Sequence, residues 1–333
     1  MKKVTILGAG TWGSALARSL WIAGNEVRLW SRFPEEIDSL RTTRRNPHLP
    51  GMTIPEEIIL TADAPFALKD ADAVLFVVPS VFIRETARDL AGWIPEAAAV
   101  VCASKGIEAG TEMLLTEVIG EEMARKGRAC RGLAAISGPT HAEEVALDLP
   151  TLIVSASENP EVAADVQALF RGSCIRPYTN SDLRGVEICG ALKNVETLAV
   201  GIARGIGYGD NTAAALITRG IEEIRRLGLA MGCQERTFFG LAGIGDLIVT
   251  ATSRHSRNNR AGFLIGQGKS AGEAVREVGM TVEGINALPA AVSLSARYGM
   301  EMPIIDAVRE IVERGARPAD IVRDLMNRKL KEE

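Results

Sequence analysis

A chain of 333 residues, 47% hydrophobic and 24% charged, has the balance of an ordinary folded protein of about two domains, which excludes a disordered or collagen-like chain. The formal net charge of −4 offers no overall positive field for nucleic acid or an anionic membrane, so an anionic ligand must be held by local cations. No run approaches the roughly 18 uninterrupted apolar residues of a spanning helix, so membrane insertion is not expected.

The start, Lys2-Lys3 followed by an apolar stretch, has the outline of a secretion signal, but Gly8, Gly10 and Gly13 interrupt it and Arg18 charges it, so it reads as folded structure. Short β-rich runs then alternate with helical patterns: Val4–Leu7, Glu26–Trp30, Ile58–Leu60, Ala73–Val78, Ala98–Cys102 and Ala134–Ser137. That alternation predicts a mostly parallel sheet with helices on both faces. Thr151–Ala156 and Ile175–Tyr178, flanking a helix that begins near Pro160, are expected to extend the same sheet. After about Asp182 the strand runs stop, and apolar residues recur at helical spacing, as in Leu192, Val195, Ala199 and Ile202. The expected division is therefore an α/β domain over 1–182 and an all-helical domain over 183–333. The charged tail Arg328–Glu333 is expected to fray.

Gly8-Ala9-Gly10-Thr11-Trp12-Gly13 lies between a predicted strand and a predicted helix, the context that makes G-x-G-x-x-G a dinucleotide-binding signal. Gly8 permits the tight turn, Gly10 the approach of a pyrophosphate, and Gly13 close packing of helix on strand, while the helix N-terminus favours negative charge. An NAD-specific site usually has an acid at the end of the second strand. Here Trp30-Ser31-Arg32 offers a hydroxyl and a guanidinium instead, which suit the 2′-phosphate of NADP, with an ordinary solvated arginine as the bland alternative.

In the helical half, Lys193 and Glu196 are the only charges between Ile188 and Ala203, so Lys193 is either a snorkelling surface residue or a functional amine. Asp246 stands between glycines and an apolar run. Arg254, Ser256, Arg257, Asn258 and Arg260 crowd one loop, either as solvated charge or as an anion clamp. The five cysteines are odd in number and never spaced as a metal-binding pair, so free thiols in a reducing cytoplasm, with no metal, are expected.

These residues resemble the bacterial soluble NAD(P)-dependent glycerol-3-phosphate dehydrogenases. The resemblance runs through Gly8–Gly13, Asn46–Gly51, Val78–Ser80, Ser104–Gly106, Ser137–Pro139, Leu192–Asn194, Gly207–Gly220, Gly245–Leu247, Ser256–Asn258 and Val282–Gly284, covering nearly the whole chain in order. It implies a Rossmann-type N-terminal domain and a helical C-terminal domain of the 6-phosphogluconate-dehydrogenase-like kind. The implied activity is reversible reduction of dihydroxyacetone phosphate to sn-glycerol 3-phosphate for glycerophospholipid synthesis with NADPH or NADH, and Ser31 and Arg32 make NADP(H) the expected preference. A cytoplasmic location and a small phosphorylated substrate go with it, a homodimer being compatible.

Residue by residue, the resemblance makes Lys193 the catalytic lysine, which would protonate the carbonyl oxygen as hydride arrives. Lys105 becomes a second lysine shared by substrate and cofactor, and Asp246 a carboxylate that holds lysine and substrate hydroxyls. Asn194 and Thr250 support them. Gly138 and Thr140 match substrate-contacting positions, Ser256, Arg257 and Asn258 the phosphate-binding loop, and Arg257 also reaches the cofactor. Thr11, Trp12, Arg32, Ala142, Thr281 and Glu283 match cofactor contacts, the last two on the nicotinamide side. The chain departs from the family pattern at Thr11, often Ser, at His48, often Tyr, and at Phe33, where many relatives carry a second basic residue.

Two other readings stay open on the sequence. One is a different enzyme pairing a dinucleotide domain with a helical domain, such as a β-hydroxyacid dehydrogenase or ketopantoate reductase, against which the Ser256–Asn258 loop argues. The other is a non-catalytic dinucleotide sensor, against which Lys193 together with Asp246 argues.

Overall fold

The structure, a computed structural model, describes residues 1–329; the last part of the expected frayed tail, residues 330–333, lies outside them. Its strands are β1 (Lys3–Leu7), β2 (Glu26–Trp30), β3 (Ile59–Thr61), β4 (Ala73–Phe76), β5 (Ala99–Cys102), β6 (Gly132–Ser137), β7 (Thr151–Ala156) and β8 (Ile175–Asn180). They form one 8-stranded sheet in the order β3-β2-β1-β4-β5-β6-β7-β8. Every neighbouring pair is parallel except β6 with β7. Each expected strand is present in this mostly parallel sheet, with shifts at the ends. β4 ends at Phe76, two residues short of the expected Val78: Val77 still gives its N–H to Leu7, and the chain then turns at Pro79.

Alternation along the central strands β1, β2, β4 and β5 feeds two cores, one on each face. Val4 and Ile6, Val27 and Leu29, and Ala73 and Leu75 pack on one side. Leu7, Trp30, Val74 and Phe76 pack on the other. Strands buried on both faces read as continuous apolar runs, which is why the sequence showed them so clearly. Helices α1 (Thr11–Ile22), α2 (Pro34–Thr43), α3 (Ala64–Leu68), α4 (Ile83–Leu90), α5 (Leu115–Arg125), α6 (Ala142–Ala146) and α7 (Pro160–Ala168) connect the strands. The order reverses at β1, whose neighbours are β2 and β4, and ligands of open α/β sheets bind at the carboxyl ends of the strands at such a switch point.

The remaining helices are α8 (Leu183–Ile206), α9 (Asp210–Ala230), α10 (Glu235–Phe238), α11 (Asp246–Thr252), α12 (Arg257–Gly266), α13 (Ala271–Val278), α14 (Glu283–Arg297), α15 (Pro303–Val312) and α16 (Pro318–Met326). The chain forms two compact units, Met1–Lys105 with Met113–Glu187, and Gly106–Glu112 with Ile188 onward. The changeover thus falls inside α8, beyond the expected 182/183, and a short segment after β5 belongs with the helices.

α8 was expected to show one apolar stripe, yet residues 185–198 are all buried, as in a helix enclosed on every side. Small residues let α12 come close. A Cβ on Gly201 of α8 would lie 2.3 Å from the Asn259 carbonyl oxygen, and one on Gly262 of α12 would lie 2.3 Å from that of Leu198. The backbones therefore touch, and the start of α12 is held beside the middle of α8.

Among the described residues no helix is long and apolar enough to cross a membrane, and no group of three or more His, Cys, Asp or Glu side chains is placed to hold a metal ion. The five cysteines are free thiols.

Candidate active site

In the first unit the glycine turn leaves β1 and opens α1. Gly8 has φ +120°, and a Cβ there would lie 2.7 Å from the Val77 carbonyl oxygen, so both conformation and space demand glycine. A Cβ on Gly13 would lie 1.9 Å from the Gly8 oxygen, which fixes α1 tightly against the turn. Above Gly10 there is open space. Gly10 is also the N-cap of α1, with no side chain capping it and no acid in the first turn. The first-turn amides are thus left to an anion, which suits a dinucleotide pyrophosphate. Thr11 and Trp12 form the start of that turn, half-buried. Ala142 opens α6 and packs on the same core as Trp12.

Lys105 follows β5, and Gly138 and Thr140 follow β6. The structure brings them together: Lys105 Nζ donates to the Gly138 carbonyl oxygen at 3.1 Å and to Thr140 Oγ1 at 3.5 Å. Thr140 donates its own hydroxyl to the Gly138 oxygen at 3.1 Å.

Ser31 and Arg32 follow β2 as expected, but neither is idle. Ser31 donates to the Glu36 carboxylate, and the Arg32 guanidinium pairs through Nη1 with Glu85 and through Nη2 with Asp89. The sequence has no acid directly after β2, yet the fold supplies three.

In the second unit Lys193 lies in the enclosed part of α8, only 5% exposed, which rules out snorkelling. Its Nζ donates to Asp246 Oδ1 at 2.6 Å and to Thr250 Oγ1. Asp246 is 0% exposed, so the lysine is buried with a counter-charge, the condition under which burying an ammonium is tolerable. A π-helical turn over Leu241–Gly245 precedes α11 and delivers Asp246 as its first residue. Thr250, one helical turn on, gives its hydroxyl hydrogen to the Asp246 carbonyl at 2.6 Å, so its lone pairs face Lys193.

Asn194 donates to the Gly190 carbonyl at 3.2 Å and accepts from Asn258 Nδ2 at 2.9 Å, while Asn258 Oδ1 accepts from the Gly284 amide at 2.9 Å. The expected anion loop is in fact the first turn of α12: Ser256 is its N-cap, accepting from the Asn259 amide at 3.2 Å, and Arg257 is its first residue, exposed. The cap explains the difference, since a serine before four polar residues reads equally as loop or helix start. Thr281 and Glu283 flank Val282, the N-cap of α14, with Glu283 accepting from Asn286 at 3.3 Å.

Glu187, Glu196 and Glu223 are buried acids to which the sequence reading gave no role. Glu187 meets the first turn of α5, accepting from the Thr116 amide at 3.0 Å and from its hydroxyl, and burial raises its carboxyl to about 7. Glu223 accepts from the Ile304 amide at 3.0 and 3.1 Å, and is likewise raised by burial to about 7. Both oxygens of Glu196 lack a hydrogen-bond partner among the described residues, and burial, with Glu223 nearby, holds its carboxyl well above the usual range.

Family models of NAD-dependent glycerol-3-phosphate dehydrogenase match this chain over residues 3–163 for the N-terminus and 182–323 for the C-terminus. The chain belongs to the NAD-dependent glycerol-3-phosphate dehydrogenase family. A glycerol-3-phosphate dehydrogenase [NAD(P)+] 2 of Lactobacillus delbrueckii subsp. bulgaricus is 57% identical, covering 100% of this chain and 99% of its own. One of Pelotomaculum thermopropionicum is 47% identical over 98% of this chain and 93% of its own. The solved glycerol-3-phosphate dehydrogenase of Coxiella burnetii superposes with a TM-score of 0.92 at 36% identity, covering 98% of this chain and 99% of that one. A ketopantoate reductase from Ralstonia eutropha, at 17% identity and TM-score 0.62, shares the fold alone. Family membership makes the chain an oxidoreductase that works with NAD or NADP.

Proposed function

We propose that this family member reduces dihydroxyacetone phosphate reversibly to sn-glycerol 3-phosphate, with Lys193 as the proton donor, and so supplies the glycerol backbone of phospholipids. The observation that carries the reading is the buried Lys193 ammonium held 2.6 Å from Asp246. The nicotinamide, when bound, supplies the hydride. Lys193 protonates the carbonyl oxygen as charge develops there, and its positive charge stabilises the alkoxide. In the reverse direction its neutral amine removes the hydroxyl proton. Asp246 and Thr250 fix where Nζ points, and Asp246 also holds substrate hydroxyls.

Lys105, Gly138 and Thr140 form a second polar cluster that contacts substrate, Lys105 serving the cofactor as well. Ser256, Arg257 and Asn258 receive the substrate phosphate at the start of α12, supported by Asn194 beneath them, and Arg257 also reaches the cofactor. Thr11, Trp12, Ala142, Thr281 and Glu283 contact the cofactor. Arg32, with no acid directly after β2, favours NADP(H) over NAD(H). The free thiols are in keeping with a cytoplasmic setting.

The test is consumption of NADPH and of NADH by the purified chain with dihydroxyacetone phosphate, dihydroxyacetone and ketopantoate. Turnover confined to the phosphorylated ketone is expected. Faster turnover of ketopantoate, or none with any ketone, overturns the reading.

A further inference from the structure

The end of β2 carries a hydroxyl and a guanidinium, Ser31 and Arg32, and both are already bound to carboxylates. Glu85 and Asp89 stand four residues apart in α4, on one face of the helix, and take one nitrogen each of the Arg32 fork. The cations of the same helix turn elsewhere: Arg84 pairs with Glu121 and Glu122, and Arg88 lies 3.6 Å from Glu122. The two acids are thus not matched within α4 and have Arg32 as their partner. Independently, Ser31 is buried, and its hydroxyl gives its hydrogen to Glu36 in the first turn of α2.

We propose that Glu85 and Asp89 are specificity residues which oppose the 2′-phosphate at Arg32 and so limit how far the enzyme prefers NADPH over NADH. This rests on the reading that Arg32 receives the 2′-phosphate. A dianionic phosphate arriving there must displace two carboxylates from the guanidinium and then remain beside them, with Glu36 behind Ser31 adding a third negative charge. A 2′-hydroxyl meets no such opposition, and a carboxylate can accept its hydrogen bond. The chain therefore restores, from α2 and α4, the negative charge that NAD-binding sites carry directly after the second strand.

The experiment is equilibrium titration of NADPH and NADH, followed by cofactor fluorescence at low ionic strength, for the unmodified chain, E85Q/D89N and R32A. Exposed ion pairs are worth little singly, so the ratio Kd(NADH)/Kd(NADPH) should rise roughly 3- to 10-fold in E85Q/D89N. A ratio that stays the same or falls overturns the inference, since the acids would then be neutral or would position Arg32 for the phosphate. R32A separates the two claims. If R32A weakens NADPH selectively while E85Q/D89N leaves the ratio unchanged, this inference alone fails. If R32A weakens both cofactors equally, the reading of Arg32 fails and this inference with it.

Discussion

Asn258 donates through Nδ2 to Oδ1 of Asn194 at 2.9 Å, fastening the first turn of α12 to the residue that follows Lys193 in α8. The same side chain accepts from the Gly284 amide at the start of α14, so one amide joins three helices and its orientation is fixed by both partners. The residue expected to bind phosphate is thereby also a structural joint.

Asn258→Ala removes that joint and leaves the buried Gly284 N–H and the side-chain Oδ1 of Asn194 without this partner. The expected loss is about 1–3 kcal/mol of stability, read by urea unfolding, accompanied by a raised KM for dihydroxyacetone phosphate. Unchanged stability in the alanine variant would show that the joint is slack.

Glu187 predicts a pH dependence. Burial raises its carboxyl to about 7 from an ordinary 4.5, so the folded chain holds this proton more tightly than the unfolded chain does. The stability it contributes is present in full below pH 4.5 and is lost as pH rises through about 7. Glu187→Gln keeps an acceptor for the Thr116 amide and offers a donor to its hydroxyl, without the charge. Unfolding titrations at about pH 4 and about pH 8 should show a fall in stability smaller by on the order of 3 kcal/mol in the variant. Glu196 and Glu223 titrate in the same sense in both proteins, so the difference isolates Glu187. Parallel pH profiles would contradict the assignment.

Arg257 tests the substrate. It opens α12 beside the Ser256 cap, with an exposed guanidinium able to take a phosphate in a fork. Arg257→Ala should lower kcat/KM for dihydroxyacetone phosphate about 10- to 100-fold, the worth of a charge-assisted hydrogen bond, and affect unphosphorylated dihydroxyacetone far less. Arg257→Lys should recover only part of the loss, because the charge returns without the fork. Equal losses for both ketones would mean that the arginine does not read the phosphate.

The central strands were legible because strands covered on both faces, such as β4 and β5, read as uninterrupted apolar runs, and the glycine turn because its spacing sits between a strand and a helix. Lys193 and Asp246 were visible as charges in apolar surroundings, although 53 residues separate them and only the fold shows them paired. The acids around Arg32 were not legible: Glu85 and Asp89 look like any solvated helix pair until α4 is set beside the end of β2. The all-round burial of α8 was hidden for a related reason, since Gly201, Gly205, Gly262 and Gly266 read as helix weakeners when their role is to let two backbones meet. Glu196 illustrates the same limit, its buried carboxyl lying where a Cβ on Gly220 would stand 2.6 Å from Oε2.

The central claim is that the buried lysine delivers the proton. Lys193→Met keeps the length and apolar stem of the side chain, removes the ammonium, and leaves Asp246 without its counter-charge. The decisive measurement is kcat of this variant with dihydroxyacetone phosphate, made alongside circular dichroism and NADPH binding to establish that the fold and the cofactor site persist. A fall in kcat of about 10²- to 10⁴-fold with cofactor binding retained is predicted. Near-normal turnover by the folded variant would contradict the account.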